Sequence, residues 1–277
     1  MLSPPSRVAP VAAEKFFTEE HLSMHNLTRY KNRGPDRELR GRVLLCTVFV
    51  NTPSFRWEDG KERDAALETV KEAAGYLMKC AAEENVSLDI STFIQKDLEA
   101  PSDVIRNNPG KRWLLRFIRE RSAVTLNGWE RKMAAKTGND SVVPVFLVKQ
   151  EGISYANVAS FPFDQEYVVL YWKSAKKYTL VHELLHVYGA IDYYYPDRLM
   201  TLAHESFGES VMLSSRSGVI DEFTRYLIGW KREKTDRICR FLKMTGNPFT
   251  GQNFIIHSIC RIKRWKFRRE KQREKAQ

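Results

Sequence analysis

Arg42 to Asn51 reads RVLLCTVFVN, an unbroken β-branched and apolar run of the kind that forms a buried strand. The stretch that follows, WEDGKERDAALETVKEAAGYLMKCAAEEN, sets Leu67, Val70, Ala74, Leu77 and Ala81 on one helical stripe. VSLDISTFI then alternates, with Val86, Leu88 and Ile90 on one side. A strand, a long helix and a second strand make a βαβ unit, so the two strands are expected to lie parallel in one sheet.

The alternation continues along the chain. KRWLLRFIRERSAVTLNGWERKMAAK supplies one or two helices, and SVVPVFLVK a third strand. GISYANVAS, opening on Gly152 with Pro162 soon after, reads as a short edge strand, and EYVVLYW as the next buried one. Ser174 stands where the N-cap of the following helix is expected. These elements predict an α/β body over residues 42–230, preceded by a polar, proline-bearing arm at 1–41 and followed by an extension at 231–277.

The helix after Ser174 contains TLVHELLHVYGAIDYYYP, Thr179 to Pro196. Each helical residue advances about 100°, so His182 and His186 lie about 40° apart, one turn above the other. Two imidazoles so placed can ligate one metal ion, and Glu183 between them can reach a water on that ion without ligating it. Val181, Leu184, Leu185 and Tyr188 form the apolar stripe that seats the helix, so the ligand face is expected to open on the floor of a cleft. Gly189 can take a left-handed conformation, end the helix and turn the chain back. Asp192 is then placed to be a third ligand. Helical histidines are more often ordinary hydrogen-bonding groups. The joint spacing H-E-x-x-H-x-x-G-x-x-D, on a helix delivered by a sheet, separates this stretch from that background.

In this motif the chain resembles the metzincin clan of zinc peptidases, in the version whose third ligand is an aspartate. Met212 in ESVMLSS resembles the methionine of the clan's Met-turn, an apolar floor beneath the metal rather than a ligand. The order of strands and helices over 42–230 is also the one such a domain implies. The resemblance implies a twisted, mostly parallel sheet with an antiparallel edge strand, an active-site helix, and a smaller, irregular and helical lower subdomain. It further implies bound Zn2+ on His182, His186 and Asp192, with Glu183 as general base. SGVIDEFTRYLIGW reads as a helix closing the lower part.

A second ligand set stays open. Glu205, on a helix begun by Pro196 in PDRLMTLAHESF, could complete a zinc site with the two histidines, but it leaves Gly189, Asp192 and Met212 without a purpose. His204 beside it reads as a surface residue. Zinc with three protein ligands keeps a position open for water, acidifies that water and polarises a carbonyl. Glu183 would take the water's proton and return it to the leaving amine. Tyr193, Tyr194 and Tyr195 are all candidates for stabilising the oxyanion, and equally for packing. The edge strand at Ser154–Val158 could pair with an extended peptide or protein substrate.

The net charge of +11 belongs to one end. Gly229–Gln277 carry fifteen Lys/Arg against four Asp/Glu, and the other 228 residues hold thirty of each. Ile255, Ile259, Ile262 and Trp265 fall on one stripe, so residues 255–277 read either as a solvated helix end or as a contact for an anionic surface, membrane or nucleic acid. A zinc-containing binding protein acting through this tail is therefore the alternative to a peptidase. Cys46, Cys80, Cys239 and Cys260 are scattered without CxxC spacing, which argues against a disulfide framework or a cysteine–zinc cluster. No apolar run is long enough for a membrane-spanning helix, and the N-terminus lacks a signal-peptide core. A cytoplasmic location is expected, with signal-independent export left open.

Overall fold

The computed structural model describes residues 27–33, 37–58, 60–103, 105, 112–158, 165–194 and 197–245. The apolar run becomes β1 (Gly41–Asn51), buried continuously from Val43 to Asn51. It is flanked by β2 (Leu88–Ile94) and β4 (Ser141–Val148), both parallel to it, with Val43 opposite Ile90 on one side and Ser141 on the other. β6 (Tyr167–Tyr171) extends the sheet in parallel beyond β4, and β5 (Tyr155–Asn157) closes that edge antiparallel to β6. The order is β2-β1-β4-β6-β5, and the two-residue β3 (Leu98–Glu99) adds to the end of β1. The fold is thus α/β with a mostly parallel mixed sheet. β3 escaped the sequence reading because two residues carry no periodicity.

Side chains alternate across a strand, so β1 supplies two cores. Val43, Leu45 and Phe49 enter one, together with α1 (Lys61–Glu83) and α4 (Lys177–Val187). Leu44, Cys46, Val48 and Val50 enter the other, under α2 (Arg112–Glu120) and α3 (Leu126–Thr137). Three further helices, α5 (Asp197–Phe207), α6 (Glu222–Leu227) and α7 (Asp236–Met244), gather beside α4 on the first face. Among the described residues no helix is long and apolar enough to cross a membrane.

The packed body reaches past both ends of the 42–230 segment. Leu27, Tyr30 and Leu39 are buried in the first core, and so are Ile238, Phe241 and Leu242 of α7. Trp230 Nε1 donates to the Leu39 carbonyl at 2.6 Å, and the Leu39 N–H to the Ile228 carbonyl at 2.9 Å, joining the two ends. The isoleucine stripe and the basic residues of 255–277 lie outside the described residues. Phe241 lies 4.9 Å from Phe207, 5.3 Å from Phe223 and 6.2 Å from Tyr193, ring centre to ring centre. Truncating a buried phenylalanine costs about 3–5 kcal/mol through lost transfer energy and the cavity left behind. Phe241→Ala should lower unfolding free energy by about that much in denaturant titration, whereas a change under 1 kcal/mol would mean that α7 is not part of the cooperative core.

Candidate metal centre

The cap of α4 lies two residues past Ser174. A 3-10 turn at Trp172–Ser174 intervenes, Lys176 takes the cap position, and Thr179 Oγ1 accepts from its N–H at 3.2 Å. Ser174 Oγ accepts instead from the Gly152 N–H at 3.1 Å. The helix is buried from Leu180 to Val187 on every side, so the ligand face is far more enclosed than an open cleft floor. His182, Glu183 and His186 are 6%, 7% and 2% exposed.

The helix ends at its cap Tyr188 in a paired turn. The Gly189 N–H donates to the His186 carbonyl and the Ala190 N–H to the Leu185 carbonyl, both at 3.0 Å. This two-bond closure needs a left-handed residue, and Gly189 supplies it at φ 98°. A side chain there would also strike the neighbouring backbone, since a Cβ would meet the Tyr30 carbonyl oxygen at 2.8 Å. Two constraints therefore select glycine at one position.

Two separate turns each aim a carbonyl at one histidine. The Ala190 carbonyl accepts from His186 Nδ1 at 2.8 Å, and the Val211 carbonyl from His182 Nδ1 at 2.8 Å. A carbonyl cannot donate, so each Nδ1 carries its proton, and in the neutral ring each Nε2 presents a lone pair. The two Nε2 atoms are 3.1 Å apart, and Asp192 Oδ1 sits 3.1 Å from one and 3.2 Å from the other. Oδ1 is buried without a well-directed hydrogen bond, although both nitrogens are within ion-pair reach. Donor atoms at such separations lie on a circle of radius about 1.8 Å, inside the ~2.0–2.1 Å bonds of zinc to nitrogen and oxygen, so one ion can reach all three. His182, His186 and Asp192 are the one such cluster among the described residues.

Burial opposes charge on His182, but the close approach and negative charge of Asp192 prevail and lift its pKa to about 9. Burial likewise opposes ionisation of Asp192, and the two imidazoles outweigh it, holding the carboxyl well below the ordinary range.

The outer contacts were not read from the sequence. Tyr194 donates to Asp192 Oδ2 at 2.6 Å, and its ring stacks on His182 at 6.3 Å. Tyr193 points elsewhere, into the core, 2.9 Å from Thr224 Oγ1, so it is no candidate for the oxyanion. Tyr195 lies outside the described residues. Val211 and the buried Met212 belong to a turn whose Met212 N–H donates to Ser210 Oγ at 3.1 Å. Ser210 Oγ in turn donates to Asp221 Oδ2 at 2.6 Å. Asp221 is the N-cap of α6, accepting from the N–H groups of Phe223 and Thr224 at 2.9 Å and from Thr224 Oγ1 at 2.6 Å. An aspartate just ahead of an apolar helical run was a legible cap signal. Its bond to Ser210 was not. Glu205 and His204 lie on α5, both exposed, and neither joins the cluster.

Comparison with protein-family models and with curated proteins gives no match to this chain.

Two outcomes follow from the geometry. When the protein is loaded with zinc and then dialysed, Asp192→Ala should retain far less metal than the unaltered chain and Glu205→Ala as much, as elemental analysis would show; the opposite dependence would move the third ligand to α5. Zinc added to the protein would have to displace a proton from His182 to enter this cluster. Its apparent affinity, measured against a competing chelator, should climb about tenfold per pH unit up to about pH 9 instead of levelling above the ordinary histidine value of 6.5. An affinity that is flat above pH 7 would contradict this.

Proposed function

We propose that the chain is a zinc-dependent peptidase in which His182, His186 and Asp192 hold the ion and Glu183 is the general base. The observation that carries this reading is the convergence of three buried lone pairs at ion-binding distance, two on a helix that sets a carboxylate beside the first histidine and one just past its end. Imidazole and carboxylate donors suit several transition metals. The glutamate inside the H-E-x-x-H spacing is what favours zinc and hydrolysis. A mostly parallel sheet with an antiparallel edge strand, and a buried turn bearing Met212, support this reading.

Bound zinc would supply an acidified water and a polarised carbonyl. Glu183, one residue from a ligand and 7% exposed, would take the water's proton and deliver it to the departing amine. Asp192 brings one negative charge into the ligand set, which tempers the acidity the ion confers. Among the described residues β5 is the last strand of the sheet, and α4 packs against it. Its outer edge offers backbone groups to an extended peptide, the geometry of strand addition. The substrate class is accordingly a peptide or an unfolded protein segment.

Glu183→Ala should lower hydrolysis of a peptide library by about 10²–10⁴-fold, read by mass spectrometry, with zinc content unchanged. Turnover retained in the mutant would remove Glu183 from its role. Loss of zinc together with activity would make it a ligand instead.

A further inference from the structure

We propose that Tyr194 is a positioning residue that limits Asp192 to coordination through one oxygen, keeping a place on the ion open for water and substrate. The inference rests on the metal-site reading above and concerns how that site is held. A free carboxylate beside a cation can bind with one oxygen or two. Here the oxygens have separate partners, for Oδ1 faces both Nε2 atoms at 3.1 and 3.2 Å and Oδ2 accepts from the Tyr194 hydroxyl at 2.6 Å. That distance marks a charge-assisted bond, stronger than one between neutral groups. Turning Oδ2 toward the ion would break it.

Tyr194 is itself fixed in place. The Tyr193 N–H donates to the Met212 carbonyl at 3.2 Å and the Tyr193 ring is anchored at Thr224, so the backbone leading into Tyr194 has little freedom. The Tyr194 ring lies at 19° to the plane of His182, forming a wall beside the first imidazole. One side chain thus braces two of the three donors. Outer hydrogen bonds of this kind orient ligands and tune the metal.

The test uses the full chain loaded with Co2+, whose visible absorption is intense in four-coordinate sites and weakens as ligands are added. Tyr194→Phe keeps the stacking ring and deletes only the hydroxyl. If the hydroxyl holds Oδ2 away, the variant should show weaker, shifted cobalt bands and bind acetohydroxamate roughly tenfold or more weakly, because the open position is partly filled. An unchanged spectrum and unchanged hydroxamate affinity would overturn the proposal while leaving the metal site intact. A lowered melting temperature with an unchanged spectrum would also overturn it, by assigning Tyr194 a purely structural part. If the wild-type chain takes up neither cobalt nor zinc, both the proposal and the metal-site reading fall.

Discussion

Two imidazole lone pairs and a carboxylate lone pair meeting 3.1–3.2 Å apart repel one another unless positive charge lies between them. Burial sharpens the conflict, because little water can screen it. A loose arrangement would relieve it by turning one ring away. Here each ring is gripped from behind by a backbone carbonyl, and the carboxylate by a phenol. A proton or a metal ion between the three groups is the remaining remedy.

That rigidity is built in layers from separate parts of the chain. The paired turn at Gly189 fixes the direction in which residues 190–194 leave the helix. The turn at 210–213 brings up the Val211 carbonyl, and Asp221 secures that turn through Ser210 while capping α6. Asp221 is a buried carboxylate, but five donors offset much of its desolvation. Beneath it the rings of Phe207, Phe223 and Phe241 pack α5, α6 and α7 into one support.

The sheet was legible because hydrophobic periodicity is a local property. β1, β2, β4, β5, β6 and α1 each lie where apolar spacing puts them. The spacing of His182, His186 and Asp192 was legible for the same reason, since all three fall within eleven residues around one helix end. What the sequence concealed depends on residues distant in the chain. The Val211 carbonyl has no side-chain identity to read, and the link from Ser210 to Asp221 exists only once two loops meet. Ser174 shows the converse error. A serine before a helical stripe satisfies the cap rule, but a 3-10 turn carried the helix start past it. The burial of α7 was missed because its surface charge concealed a short apolar face of Ile238, Phe241 and Leu242.

The contact between Gly189 and the Tyr30 backbone has a consequence for the order in which the molecule can be made. The segment that leans on the helix end is itself tied to the far end of the body, where Lys31 Nζ reaches the Tyr226 carbonyl across 195 positions of sequence. A chain emerging from its N-terminus presents Tyr30 long before either partner exists, and must keep that segment unengaged until residue 226 and beyond have been added. The histidine helix can form early, but the vault around it closes last. Contacts of such long sequence separation slow folding. The surroundings of the centre are therefore complete only once the segment at Tyr30 and Lys31 has met residue 226.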